Sequence, residues 1–234
     1  MPANFLIPYG VSALEPGQVS VTGGEVVCPV PFVLCDRAPP RILRLNGDQY
    51  VFPEAPDLRT MTDAAAQLQF LRQHLQHFCD IWARPPKLFL DSYFAYVTAQ
   101  IEKNETPLSE KLAPYGSLFA PMDWALSAPR PLPRAQLLVA DEYWPVDFAF
   151  WLGDRAVAVL LTGTDTLTAK ERARRDALAQ SEAELVDVPV AALMRDGADA
   201  LAELLPQGFA GFWEGETLPS SPFKGTSLDD IVCE

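Results

Sequence analysis

The stretch from residue 146 to residue 163, VDFAFWLGDRAVAVLLTG, constrains the fold more than any other part of the chain. It predicts two adjacent β-strands, at residues 146–151 and 155–162, joined by a tight turn at Gly153-Asp154. The second strand is almost wholly apolar, which is typical of a strand buried in the centre of a sheet. A single acid, Asp147, stands at the beginning of the first strand.

The segments on either side of this pair alternate between helical and extended patterns. Helices are predicted at residues 86–103, 167–183 and 190–205, and further strands at residues 135–140 and 184–188. From residue 86 onward the predicted order is helix, three strands, helix, strand, helix. This order predicts an α/β (α+β) fold.

The region before this core predicts a small β-layer followed by a long helix. Short β-prone stretches surround Thr22-Gly23-Gly24, a hairpin signal because glycine adopts positive φ without strain. Apolar residues then recur at helical spacing over residues 60–83, where Thr60 or Thr62 could serve as the N-cap.

These patterns divide the chain into four parts. We predict a β-rich region at residues 1–59, a helical connector at 60–134 that includes the first core helix at 86–103, an α/β core at 135–205 and a C-terminal tail at 206–234.

Composition restricts the kind of partner that the chain can have. The net charge is −13, whereas nucleic-acid-binding proteins usually carry a basic surface. This acidity argues against tight nucleic-acid binding and favours basic protein surfaces. No apolar run reaches the roughly 20 residues of a membrane helix, and residues 1–10 lack the pattern of a secretory signal. We therefore expect a cytoplasmic protein without membrane insertion.

Four short motifs carry a resemblance to a known family. They are VDFAF at 146–150, VAVLLTG at 157–163, ARRDAL at 173–178 and AELVDVPV at 183–190. In this order and spacing they resemble the PD-(D/E)xK, or restriction-endonuclease-like, superfamily, in particular its small members similar to very-short-patch-repair endonucleases. The resemblance covers about half of the chain and implies that residues 86–205 form an α-β-β-β-α-β-α nuclease-like core.

The resemblance also implies where a metal site would lie. In that superfamily two carboxylates on neighbouring strands hold one Mg²⁺, which activates a water molecule. By position, Asp147 matches the first acid, Leu160 stands in place of the second acid, and Thr162 stands in place of the lysine that follows. Asp91 is the nearest candidate for the acid that the first core helix often carries.

One carboxylate cannot replace two, because Mg²⁺ needs anionic ligands to hold it. We therefore interpret the chain as a non-catalytic protein-interaction or structural subunit on a degenerate nuclease-like fold, without a cofactor. The alternative is a divergent Mg²⁺-dependent DNA nuclease with migrated acids, in which Asp91, Asp147, Asp165 and Lys170 would be catalytic. Asp147 is then the one retained metal-ligand candidate. A second alternative is an acidic nucleic-acid mimic or inhibitor.

The C-terminal tail offers candidates for contact with a protein partner or larger assembly. These candidates are Phe209, Phe212, Trp213, Asp229 and Asp230. Aromatic residues in an acidic, glycine-containing segment suit a segment that folds as it binds. The simpler interpretation is a tail that packs back on the core.

Two other groups of residues have both a chemical and a structural interpretation. His74 and His77 share a helix face and could bind zinc, but no second ligand pair follows at a zinc-like spacing, so a polar helix face is favoured. Lys170 begins a basic cluster that continues to Arg175. Acidic residues interrupt this cluster, and Glu171 has the favourable i, i+4 spacing for an ion pair with Arg175.

Overall fold

The computed structural model describes residues 4–22, 25–36, 43–45, 63–80, 82–152, 155–163, 168–206 and 209. It confirms a mixed α/β architecture. The strands are β1 (Asn4–Pro8), β2 (Ser20–Thr22), β3 (Glu25–Val27), β4 (Phe32–Asp36), β5 (Leu43–Leu45), β6 (Leu132–Val139), β7 (Glu142–Trp151), β8 (Ala156–Thr162) and β9 (Glu184–Pro189). The α-helices are α1 (Ala64–His77), α2 (Arg84–Lys103), α3 (Glu105–Leu112), α4 (Ala169–Leu178), α5 (Val190–Asp196) and α6 (Ala198–Leu204).

A four-stranded mixed sheet forms the centre of the fold, in the order β6-β7-β8-β9. The β6–β7 and β7–β8 pairs are antiparallel, and β8 and β9 run parallel. A parallel pair requires a crossover connection, and α4 lies in it. The apolar β8 is an inner strand whose first five residues are all buried, as the sequence predicts.

Helix α2 packs on one face of this sheet through aromatic side chains. The ring of Phe89 lies 4.4 Å from the ring of Phe148, and the ring of Tyr93 lies 5.1 Å from that of Phe150, measured between centroids. All four side chains are almost completely buried. Because the two phenylalanines of β7 are two positions apart, they point to the same side of the strand, which fixes this side as the α2 face.

The boundaries of the long helices differ from those predicted. Helix α1 begins after Asp63, whose carboxylate accepts hydrogen bonds from the backbone N–H groups of Ala65 and Ala66. The N-cap is therefore Asp63, not Thr60 or Thr62, because a short carboxylate satisfies the free N–H groups of the first turn. Helix α2 has Pro85 and Pro86 in its first turn, where a missing N–H costs nothing.

The last predicted helix is broken in two at Gly197. This residue has φ 55° and ψ −117°, a conformation that only glycine adopts without strain. Helices α5 and α6 both contact β9 and α2, so the break allows one apolar segment to cover two neighbouring elements. Between α3 and β6, two 3₁₀ segments occupy Ala113–Leu118 and Pro121–Ser127.

The N-terminal strands form two small sheets, one of the order β1-β4-β5 and one of the pair β2-β3. The first sheet adjoins the central sheet at β6, where the N–H of Gly10 donates to the carbonyl of Pro133. The side-chain amide of Gln136 donates to the carbonyl of Val11 across the same boundary. The predicted turn at Gly23-Gly24 and the turn at Gly153-Asp154 lie outside the described residues. In the described part of the chain, no helix has the length and apolarity required to cross a membrane.

Candidate functional site

Asp147 points to the face of the sheet opposite α2. Side chains alternate along a strand, so Asp147 and Ala149 face away from the side occupied by Phe148 and Phe150. Helix α4 contacts β6 and β7, and its Arg174 lies close enough to act electrostatically on Asp147. The two helices therefore cover opposite faces, and Asp147 lies under α4.

The register of the strands places three residues of interest in one row across the α4 face. The β7–β8 ladder pairs Phe148 with Val159, so Asp147 is next to Leu160 one position further along. The β8–β9 ladder pairs Leu160 directly with Asp187. The row therefore reads Asp147, Leu160, Asp187, and Leu160 in its centre is 0% exposed. Neighbouring strands are about 4.8 Å apart, so hydrocarbon separates two carboxylates whose backbones lie about 10 Å apart.

The carboxylate of Asp147 is used by the backbone. Its Oδ2 accepts the N–H of Leu161 at 2.9 Å, just beyond the last regular pair of the β7–β8 ladder. Burial raises the pKa of Asp147, while the Leu161 N–H and the Arg174 charge act in the opposite direction. Asp147 therefore extends the connection between the two strands at the point where the ladder ends.

Asp187 forms an ion pair with Arg175 on this face. Arg175 donates to both of its carboxylate oxygens, at 2.7 and 2.5 Å, in a bidentate arrangement. The Asp187 hydrogen bonds raise the pKa of Arg175. The predicted pairing of Arg175 with Glu171 is replaced, because Glu171 turns back to Thr168 in a capping box that begins α4.

The remaining candidates for a nuclease site lie elsewhere or have other contacts. Asp91 accepts a hydrogen bond from Gln76 at 2.9 Å and lies 3.6 Å from Arg72, so its contacts are to α1. Lys170 is exposed in the first turn of α4. Thr162 ends β8 and is half-buried. Asp165 lies outside the described residues.

The five candidate partner-binding residues of the C-terminal tail include one, Phe209, that the structure describes. Phe209 is 1% exposed and packs edge-to-face on Phe150, with ring centroids 4.8 Å apart, and on Tyr93. It is a core residue and has no surface to offer a partner, which corrects its assignment as a binding residue. Phe212, Trp213, Asp229 and Asp230 lie outside the described residues.

The side chains around Asp147 do not fit Mg²⁺. The ion requires several oxygen ligands at about 2.1 Å, and the neighbouring position in the row holds a buried leucine. The nearest acid along the row already has both oxygens on Arg175. Among the described residues, no group of three or more His, Cys, Asp or Glu side chains could hold a metal ion. His74 and His77 are neighbours on α1, with ring centroids 6.5 Å apart, and no third such ligand joins them in the described part of the chain.

One large apolar side chain stands out on the surface. Trp82, in the turn between α1 and α2, is 88% exposed. The next most exposed large apolar side chains among the residues that the structure describes are Met194 at 63%, Val27 at 59% and Leu118 at 58%. An indole left in solvent has no role in packing, and tryptophan is strongly enriched among residues that dominate binding at interfaces.

Sequence reasoning overlooked Arg174 and Asp187 as members of the candidate site. Both were visible as residues, but their relation to Asp147 depends on strand register. A register deduced from the 146–163 hairpin and the parallel crossover would place Asp187 beside Leu160. Comparison with protein-family models, with curated protein sequences and with solved structures finds no match for this chain.

Proposed function

We propose that the chain is a non-catalytic protein-interaction or structural subunit, built on a core that resembles the restriction-endonuclease-like fold and has lost its metal site. The row of Asp147, Leu160 and Asp187 on the α4 face of the sheet supports the proposal. The superfamily's second acid would stand at Leu160, a fully buried leucine between Asp147 and Asp187.

The order of elements supports the resemblance. Helix α2, three strands, α4, β9 and the α5–α6 segment follow one another as the resemblance implies, apart from α3 and the 3₁₀ segments inserted before β6. Asp147 lies on β7, next to the inner strand β8, as the first acid of such a site would. No cleavage step is derived from this arrangement, because a single carboxylate hydrogen-bonded to a backbone N–H supplies neither a metal site nor an activated water.

The hydrogen bonds of the two carboxylates in this row support loss of catalysis rather than migration of the metal ligands to neighbouring positions. Asp147 accepts the N–H of Leu161, and Asp187 is held by Arg175. An active site would need at least two of these oxygens turned toward one ion. Their present partners stabilise the attachment of α4 and the β7–β8 connection, which is a structural role.

A cleavage assay tests the loss of catalysis. Single- and double-stranded DNA are incubated with the protein and Mg²⁺ or Mn²⁺, in parallel with Asp147→Asn. The proposal predicts equal, background cleavage by both proteins. Metal-dependent cleavage that disappears in Asp147→Asn would establish the nuclease alternative.

The interaction role is tested through the exposed indole. The net charge of −13 and the 88% exposure of Trp82 support a partner with a basic, partly apolar surface. Co-purification from native cells should give a fixed partner whose recovery falls in Trp82→Ser and persists in Leu118→Ser, a matched exposed control. Equal recovery with both variants would remove Trp82 from the interface, and the absence of any fixed partner would contradict the interaction role.

A further inference from the structure

Helix α4 is attached to the sheet in a different way from α2. Of its ten residues only Leu178 is buried, whereas α2 buries eight of twenty. Six residues of α4 are charged, at positions 170, 171, 172, 174, 175 and 176. A helix of this length is marginal in isolation, so its stability depends on what holds it to the sheet.

A polar contact and a single buried side chain, Leu178, connect α4 to the sheet. Arg175 makes the bidentate pair with Asp187, and the charge of Arg174 acts electrostatically on the carboxylate of Asp147. The buried Nε of Arg174 has no hydrogen-bond partner among the described residues. The capping box of Thr168 and Glu171 stabilises the helix itself and does not connect it to the sheet.

A helix docked by ion pairs opens more readily than one docked by buried apolar area. Elements with few buried apolar contacts separate from the rest of a protein in local opening reactions below the global free energy of unfolding. Helix α4 contacts β7, and on this face of the sheet Asp147 adjoins a buried strip of Ala149, Ala158 and Leu160. These are the residues that solvent or a partner reaches when the helix leaves.

We infer that α4 is a lid latched by the Arg175–Asp187 ion pair, and that it opens as a unit while the β6–β9 sheet stays folded. The opening controls access to Asp147 and to the apolar strip beside it. This inference does not depend on the proposed function, because it concerns how α4 is held and applies equally to an active or an inactive site.

Native-state hydrogen exchange of the full chain tests the lid. Amide exchange is followed for α4 at 173–178 and for β7 at 148–150, over a series of low urea concentrations. The α4 amides should exchange at least about tenfold faster than those of β7, with a weak dependence on urea, because local opening exposes little surface. The same exchange rate and the same urea dependence for α4 and β7 would show that α4 does not open separately and would overturn the inference.

Matched variants on α4 test the latch. Arg175→Gln should accelerate α4 exchange about fivefold, as expected for loss of a partly exposed ion pair, and Arg172→Gln on the exposed side should leave it unchanged. If Arg175→Gln does not fold, Asp187→Asn removes the same pair from the other side. Raising the salt from about 0.01 M to about 1 M shortens the screening length from about 30 Å to about 3 Å and should also accelerate α4 in the wild type. No effect of the latch variants, or an equal effect of Arg172→Gln, contradicts the ion-pair latch.

Discussion

Asp147 combines two effects that substitutions can separate. Its carboxylate accepts the N–H of Leu161, and it carries a charge in a half-buried position under α4. Asp147→Asn keeps an oxygen acceptor of the same shape and removes the charge. Asp147→Ala removes both, so the difference between the two variants measures the hydrogen bond.

The magnitudes follow from the surroundings of the side chain. An unsatisfied buried donor costs about 1–3 kcal/mol, and the lower end applies here because the Leu161 bond is only partly buried. Burial is the largest influence on the pKa of Asp147 and raises it, so the charge itself opposes folding despite Arg174. We expect Asp147→Asn to be at least as stable as the wild type at neutral pH. Asp147→Ala should be about 1 kcal/mol less stable than Asp147→Asn.

The pH dependence has a defined sign. Since the folded-state pKa of Asp147 is raised, the folded protein binds this proton more tightly than the unfolded chain does. The resulting stability is fully present below the ordinary aspartate pKa and is lost as the pH rises through the raised one. The advantage of Asp147→Asn over the wild type should therefore shrink as the pH falls through this window.

Urea unfolding of the three proteins at neutral and mildly acidic pH provides the measurement. Equal stability of the alanine and asparagine variants would refute the structural role of the Leu161 hydrogen bond. A marked loss of stability in Asp147→Asn at neutral pH would show that the charge is net stabilising, against the expectation from burial.

Three further predictions concern other parts of the fold. Arg175→Gln should lower the free energy of unfolding by about 1 kcal/mol because the bidentate pair is partly exposed. Arg172→Gln should change it little, and urea titration of both variants measures the difference. Gly197→Ala should lower the free energy of unfolding by about 1–3 kcal/mol. The cause would be backbone strain alone, since a Cβ at this position meets nothing within 4 Å. Unchanged stability in calorimetry would contradict the positive φ at the break between α5 and α6. Phe209→Ala should lower the free energy of unfolding by about 3–5 kcal/mol because it truncates a buried side chain, whereas Trp82→Ala should change it by no more than about 0.5 kcal/mol. A larger loss in Trp82→Ala than in Phe209→Ala would show that Trp82, and not Phe209, is packed in the core.

The central sheet was predictable because its signals are local. The apolar run that becomes β8 and the turn-prone residues before it predict an inner strand, and the structure contains one. The helix that becomes α2 was predictable within two residues, since Pro85 and Pro86 mark its beginning. These features need only periodicity and the conformational limits of proline.

The predictions that were wrong concern positions where two neighbouring residues are equally suitable as hydrogen-bond or ion-pair partners. Both threonines near the start of α1 are acceptable caps, yet Asp63 caps it. Glu171 has a suitable spacing to Arg175, but it closes the capping box and leaves the arginine to Asp187. Local rules rank such partners closely, and tertiary packing decides between them.

The candidate site itself required strand register. Asp147 was recognisable from the sequence because it stands at the start of the predicted strand at residues 146–151, before an apolar strand, although β7 itself begins at Glu142. Its relation to Asp187 depends on how two ladders, one antiparallel and one parallel, align across β8. A shift of one residue in either ladder would place Asp147 and Asp187 on opposite faces of the sheet.

A metal titration shows whether Asp147 has a structural role on a core without a metal site. Mn²⁺ is titrated calorimetrically into the wild type and into Asp147→Asn, and the matched variant accounts for weak binding to the acidic surface. If Asp147 has a structural role only, the two proteins should give indistinguishable isotherms. A saturable site in the wild type that is lost in Asp147→Asn would contradict it.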